Sequence, residues 1–221
     1  PDLSRPDILS LQDDKRMIGD DHVFANVRTK TLRKYGSKLR RPLDRISGLL
    51  TTLKLRGLNQ QVADGRAPEV VGAEFAESNG LDSGAKRIPG KTISVGHFET
   101  DESETLAYMY AAALRSAGFK VKVSSAGGLR PEAYAKFKRG VFDLLPAYSR
   151  TLASFLSGKI VHGTEANVLR VLRRETRQIG ATPTNLSPAT DNNVFAMKRD
   201  VAASLGVTKL SDLQRFWPKA S

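Results

Sequence analysis

Apolar positions change their spacing along the first third of the chain. Ile8-Leu9-Ser10-Leu11 and Val23-Phe24-Ala25-Asn26-Val27 are short apolar groups set among acids and glycine, and they predict strands. From Lys30 to about Leu55 the period becomes helical. Leu39, Leu43, Ile46, Leu49, Leu50 and Leu53 recur at three- and four-residue steps, with arginines on the other face. This stripe predicts Leu43, Ile46, Leu50 and Leu53 buried, and Arg33, Arg40, Arg41 and Arg45 exposed. A shorter helix is predicted from Ala67 to Ser78, opened by Pro68 and stopped by Asn79-Gly80. Residues 80 to 90 hold three glycines and a proline without periodicity and read as a linker or loop.

Beyond residue 90 the pattern alternates in type. Thr92 to Val95, Phe119 to Ser124 and Val141 to Leu145 predict strands, and Ser103 to Ala117 and Arg130 to Lys138 predict helices between them. Strand and helix alternating in steps of this length predict a parallel α/β sheet. A helix from about Ala147 to Leu156 follows. A longer one, Thr164 to Ile179, turns Val168, Val171, Leu172 and Ile179 inward and Arg170, Arg173, Arg174 and Arg177 outward. Residues 181 to 193 are turn chemistry leading into a predicted strand at Val194-Phe195-Ala196-Met197. The tail from Asp200 to Trp217 reads as a short helix, a loop and the start of another helix.

Composition narrows the chemistry. The 221 residues, 40% apolar and 26% charged, suit a folded domain, and the absence of cysteine removes thiol catalysis and thiolate metal sites. Net charge is +12, and it is concentrated: Arg28 to Arg56 carries ten basic residues against one acid, Asp44. A face of that kind suits an anionic surface. No apolar run reaches the ~20 residues of a membrane span. The chain opens with Pro1 and therefore reads as a processed or excised piece, any export signal already gone.

Catalytic motifs are missing. His22, His97 and His162 are far apart in sequence, and Asp20-Asp21-His22 has no further ligand spaced to close a metal site. There is no nucleophile elbow, dinucleotide fingerprint or phosphate-binding lysine loop, so no enzyme activity, metal or cofactor is predicted. Strand ends are the better place to look, because parallel α/β sheets bind ligands outside the carboxyl ends of their strands. Those ends carry His97-Phe98-Glu99-Thr100, Pro146-Ala147-Tyr148-Ser149 and, before the later strand, Asp191-Asn192-Asn193.

Residues 91 to 158, with the hydrophobic AGFKV strand and the D-L-x-P-x-Y element at Asp143 to Tyr148, resemble the opening lobe of the substrate-binding proteins of osmoprotectant ABC importers, the glycine betaine, choline and carnitine family. SPATDNNVFAMKRD at 187 to 200 is similar to that family's crossing strand, and LSDL at 210 to 213 to the start of its second lobe. LQDDK at 11 to 15, VRTKTL at 27 to 32, LRGLNQQV at 55 to 62 and PEVVGAEFAESNGL at 68 to 81 resemble the family's carboxyl-terminal segment. The end of the family sequence thus precedes its beginning. The resemblance implies a circularly permuted, three-layer α/β lobe of the type II periplasmic-binding-protein kind, with a mainly parallel sheet. Strands near 22–28 and 193–197 would join those at 92–96, 119–124 and 141–145. Residues 1–82 would be the returning part of the first lobe, 83–90 the join, 91–197 the opening part of that lobe, and 198–221 a stub of the second.

The resemblance also implies a site, since the family holds a quaternary ammonium group among tyrosines by cation–π attraction. Tyr148 occupies one cage position and Thr151 a nearby polar one. Phe195 stands where a cage tyrosine is common, Asp21 replaces an aromatic, and Phe98 replaces a lysine. Ligand contacts are accordingly expected at Tyr148, Phe195, Phe98, Thr100, Thr151, Asp21 and Asn193. The implied partners are a small-molecule ligand, an ABC transporter permease, and a second lobe or second chain completing the cleft, in an extracytoplasmic setting. The alternative from the residues alone is a basic module whose Arg28–Arg56 face engages nucleic acid or anionic membrane.

Overall fold

Strand β2 (Val23–Arg28) shows how the sequence builds the sheet. Val23, Ala25 and Val27 pack into one apolar cluster and Phe24 into another, the two-residue alternation of a strand buried on both faces. The computed structural model describes residues 5–15, 19–81, 86–90, 92–192 and 194–216. Its main sheet has the order β4 (Val121–Gly127), β3 (Ile93–Phe98), β5 (Leu144–Tyr148), β2, β6 (Ala181–Pro183). β3 runs parallel to β4 and β5, whereas β2 runs antiparallel to β5 and β6. Four of the five strands point the same way, with β2 reversed among them.

Helices cover both faces and make three layers. One cluster joins the sheet to α2 (Ser37–Leu49), α4 (Pro68–Ser78) and α5 (Asp101–Ser116). The other joins it to α6 (Arg130–Arg139), α7 (Ser149–Ser157) and α8 (Glu165–Gln178). Residues before and after the 80–90 loop therefore share one sheet and one core. Asp143, buried at the entry to β5, fastens the layers: its carboxylate accepts from the Thr31 hydroxyl at 2.6 Å and from the Ser94 N–H at 3.0 Å.

The long helix expected from Lys30 to Leu55 is instead three: α1 (Thr29–Tyr35), α2 and α3 (Thr52–Ala63). Gly36, at φ 55°, breaks the first junction with a conformation that side chains disfavour. At the second, the Thr51 side chain accepts from the Lys54 N–H and starts a new axis. That restart moves the apolar stripe. Leu43, Ile46 and Leu50 are buried as expected, but Leu53 is 80% exposed and Leu55 and Leu58 are buried in its place. Arg33, Arg41 and Arg45 are exposed, whereas Arg40 is half-buried and paired with Asp44 at 3.0 Å. Nine of the ten cations of the Arg28–Arg56 stretch are thus spread over three helices, and Arg28 ends β2.

Two strands differ from expectation. Of the stretch expected at 193–197, the described residues 194–197 do not join the main sheet. β7 (Ala196–Lys198) pairs antiparallel with β1 (Ile8–Ser10), and Leu11, Val207 and Leu210 form a separate small cluster beside that pair. A period-two pattern marks a strand without naming its partner. β6, inside the stretch read as turns, forms the edge beside β2. The tail carries α9 (Arg199–Leu205) and a 3-10 helix over Leu210–Phe216.

Candidate functional site

The carboxyl ends of β3 and β5 lie side by side because both strands run parallel, and each feeds directly into a helix. After β3, the Thr100 side chain accepts from the Ser103 N–H and starts α5, which places Glu102 in the first helical turn. After β5, Tyr148 is the residue before α7. Between them is a cavity of about 650 Å³ lined by Phe98, Thr100, Glu102, Tyr148, Thr151 and Asp191, among others. This volume suits a small molecule.

Charge in the cavity is divided. The Tyr148 hydroxyl donates to Glu102, whose other carboxylate oxygen accepts from the Asn59 amide. Burial, and then the negative charge of Glu102, raise the Tyr148 phenol well above its ordinary pKa, so the ring enters the site neutral. Asp191 adds a second carboxylate. Arg130 also lines the cavity, its guanidinium 5.7 Å from the Phe98 ring centre and 5.9 Å from that of Phe155. The protein's own cation therefore occupies a face of Phe98, while Tyr148 has carboxylates beside it.

Of the expected contacts, Phe98, Thr100, Tyr148 and Thr151 line this cavity. Asp21 does not. Its carboxylate accepts from the Arg150 N–H at 2.6 Å and from the Thr151 N–H and hydroxyl, so it caps α7 from below. Burial raises the Asp21 carboxyl pKa, and these hydrogen bonds offset only part of the rise. Phe195 is also absent from the lining. It is 54% exposed, and its backbone carbonyl accepts from the Leu11 N–H near the small sheet. Asn193 lies outside the described residues.

Sequence reading missed Glu102 and Arg130. An acid in a helix's first turn is common enough to pass as dipole compensation. Arg130 follows the end of β4, and the strand-end rule applied there as well would have found it. Also missed was Tyr134, buried in the cavity wall with its hydroxyl turned to the equally buried Asn26 side-chain amide. No group of three or more His, Asp or Glu side chains that could hold a metal ion occurs among the described residues.

Comparison with known proteins adds the following. The family model for the substrate binding domain of ABC-type glycine betaine transport systems matches residues 1–78 and 91–220. No curated protein matches the chain. Among solved structures, the crystal structure of NikA from Brucella suis in complex with Fe(III)-EDTA is similar to 83% of this chain at 16% identity and a TM-score of 0.40. The chain spans 47% of that protein's length.

Proposed function

Because the chain belongs to the family of substrate-binding domains of ABC-type glycine betaine transport systems, we propose that it binds a small quaternary-ammonium solute in the cavity at the ends of β3 and β5. Family membership makes it a solute-binding component of an ABC importer, not an enzyme. The observation that carries the ligand class is the grouping of the Tyr148 ring with the Glu102 and Asp191 carboxylates. An aromatic face attracts a methylated ammonium, and the carboxylates supply the opposite charge. Arg130, also in the lining, suits a carboxylate if the solute carries one.

The wider arrangement follows from the same reading. The solute passes to a permease on the extracytoplasmic side; no helix among the described residues is long and apolar enough to cross a membrane. Residues 1–82 stand for the family's carboxyl-terminal segment and 91–197 for its beginning, in permuted order with the join at 83–90. The shared sheet and core of these two stretches support this, since termini on one body tolerate permutation. The small β1–β7 sheet with α9 supports a stub of the second lobe. A second lobe or second chain would complete the cleft by closing over the solute.

Calorimetry with choline, glycine betaine and carnitine, on wild type and Tyr148→Ala, tests the ligand. This lobe by itself should bind in about the millimolar range, near 4 kcal/mol in all, and Tyr148→Ala should weaken binding tenfold or more. Binding unaffected by Tyr148→Ala would move the site, and no binding of any of the three would retire this ligand class.

A further inference from the structure

A second cavity, of about 680 Å³, lies along the edge strand β6 and shares no lining residue with the first. Four guanidinium groups converge on it from three helices: Arg33 of α1, Arg40 of α2, and Arg173 and Arg177 of α8. The only acid in its lining is Glu165, near the start of α8. Arg40 is spent on Asp44 and Asn185. Arg33, Arg173 and Arg177 are exposed, and their guanidinium groups make no hydrogen bond or ion pair among the described residues. Four guanidinium groups gathered against the single carboxylate of Glu165, which itself lies 3.8 Å from the His22 ring, leave an excess of positive charge, so the groove favours an incoming anion.

The shape selects among anions. A flat membrane meets a concave wall poorly. A single-stranded nucleic acid would need rings to stack on, and no aromatic side chain lines the groove. A peptide strand cannot extend the sheet well. The Thr29 N–H bonds to the Gly180 carbonyl and the Thr184 N–H to the Ala25 carbonyl, so alternation turns the backbone polar groups of Ala181 and Pro183 away from β2, and Pro183 has no N–H to give. What remains is a small molecule. Guanidinium forks match phosphate and carboxylate oxygens two at a time, and the half-buried Thr182 hydroxyl, paired with that of Thr29, adds a polar group to the lining.

We propose that this groove binds a small polyanion, a molecule carrying two or more phosphate or carboxylate groups, at a site separate from the solute cavity. Inorganic pyrophosphate and citrate are the probes, titrated calorimetrically into the whole chain at about 0.15 M salt. Two double variants remove equal charge: Arg33→Gln/Arg173→Gln in the groove, and Arg56→Gln/Lys122→Gln on exposed surface elsewhere. Saturable binding of at least one probe is expected. The groove variant should weaken it about tenfold, the loss of two charge-assisted contacts, and the control less than about twofold. The probe that binds identifies phosphate or carboxylate as the recognised group. Arg177→Gln alone should weaken binding about threefold, which keeps the test intact if the double variant is poorly folded. Absence of saturable binding overturns the proposal, as does equal weakening in both double variants, which would reduce it to attraction by net charge. Binding to phosphatidylglycerol vesicles but to neither soluble probe would overturn it in favour of a membrane.

Discussion

The Tyr148 hydroxyl donates to the Glu102 carboxylate, tying the end of β5 to the first turn of α5 in the lining of one cavity. The bond holds the aromatic ring in place and sets a negative charge at its edge. Tyr148→Phe removes the hydroxyl and keeps the ring, so quaternary-ammonium affinity should stay within about threefold of wild type. Tyr148→Ala should cost tenfold or more, in line with the roughly 2 kcal/mol of a desolvated cation–π contact. Calorimetry on the pair separates ring from hydroxyl, and equal losses would assign the effect to the bond with Glu102.

The same contact is visible in titration. Burial and Glu102 both hold the Tyr148 phenol above its ordinary value of 10.0. Glu102→Gln removes the charge and leaves the burial, so the Tyr148 transition should move down in pH without reaching the ordinary value. Ultraviolet difference spectra of wild type against the variant report it. An unchanged or upward transition would overturn the assignment of part of the Tyr148 shift to Glu102.

Asp21 makes stability depend on pH in the opposite sense to most paired acids. Its folded pKa is raised above the ordinary 3.8, chiefly by burial, so between the two values the folded chain holds a proton that the unfolded chain has released. Stability from this group is therefore lost as pH rises from about 3.8 through the folded value, and is level outside that window. Asp21→Asn should remove this slope. The stability difference between wild type and variant, from urea melts across acidic pH, should fall with rising pH and then flatten. A difference that grows with pH would mean that the α7 hydrogen bonds outweigh burial.

Helices α4 and α5 meet at Gly72, where a Cβ would come within 2.3 Å of the Thr105 carbonyl oxygen and 2.9 Å of the Met109 nitrogen. Alanine favours a helix over glycine by about 1 kcal/mol, yet Gly72→Ala should destabilise by roughly 1–3 kcal/mol, because backbone atoms cannot step aside. Thermal or urea melts decide the sign.

Neighbouring leucines should behave oppositely. Leu50→Ala empties a fully buried position and should cost about 2–5 kcal/mol. Leu53→Ser, on a side chain 80% exposed, should change stability by less than about 0.5 kcal/mol. Urea melts of the two variants would show whether the helical stripe truly breaks between them.

The sequence by itself determined the elements with strong periods. The alternation after residue 90 located β3, α5, β4 and α6, and the apolar stripe located Leu39, Leu43, Ile46 and Leu50 in the core. Strand ends also pointed to Phe98, Thr100 and Tyr148, and the family resemblance to Thr151, and these four line one cavity because the carboxyl ends of parallel strands lie side by side. Tertiary structure decided the rest. Whether Val194 to Met197 joined the main sheet depended on where β1 lay, nearly the whole chain away in sequence. Asp21 could be told from a ligand contact only once the amide groups of α7 were seen to be its partners. The groove arginines come from residues 33–40 and 173–177, and their convergence exists only after β6 has paired with β2. Periodicity records which face of an element is buried, whereas pairing between distant segments depends on which faces meet, and no local spacing encodes that.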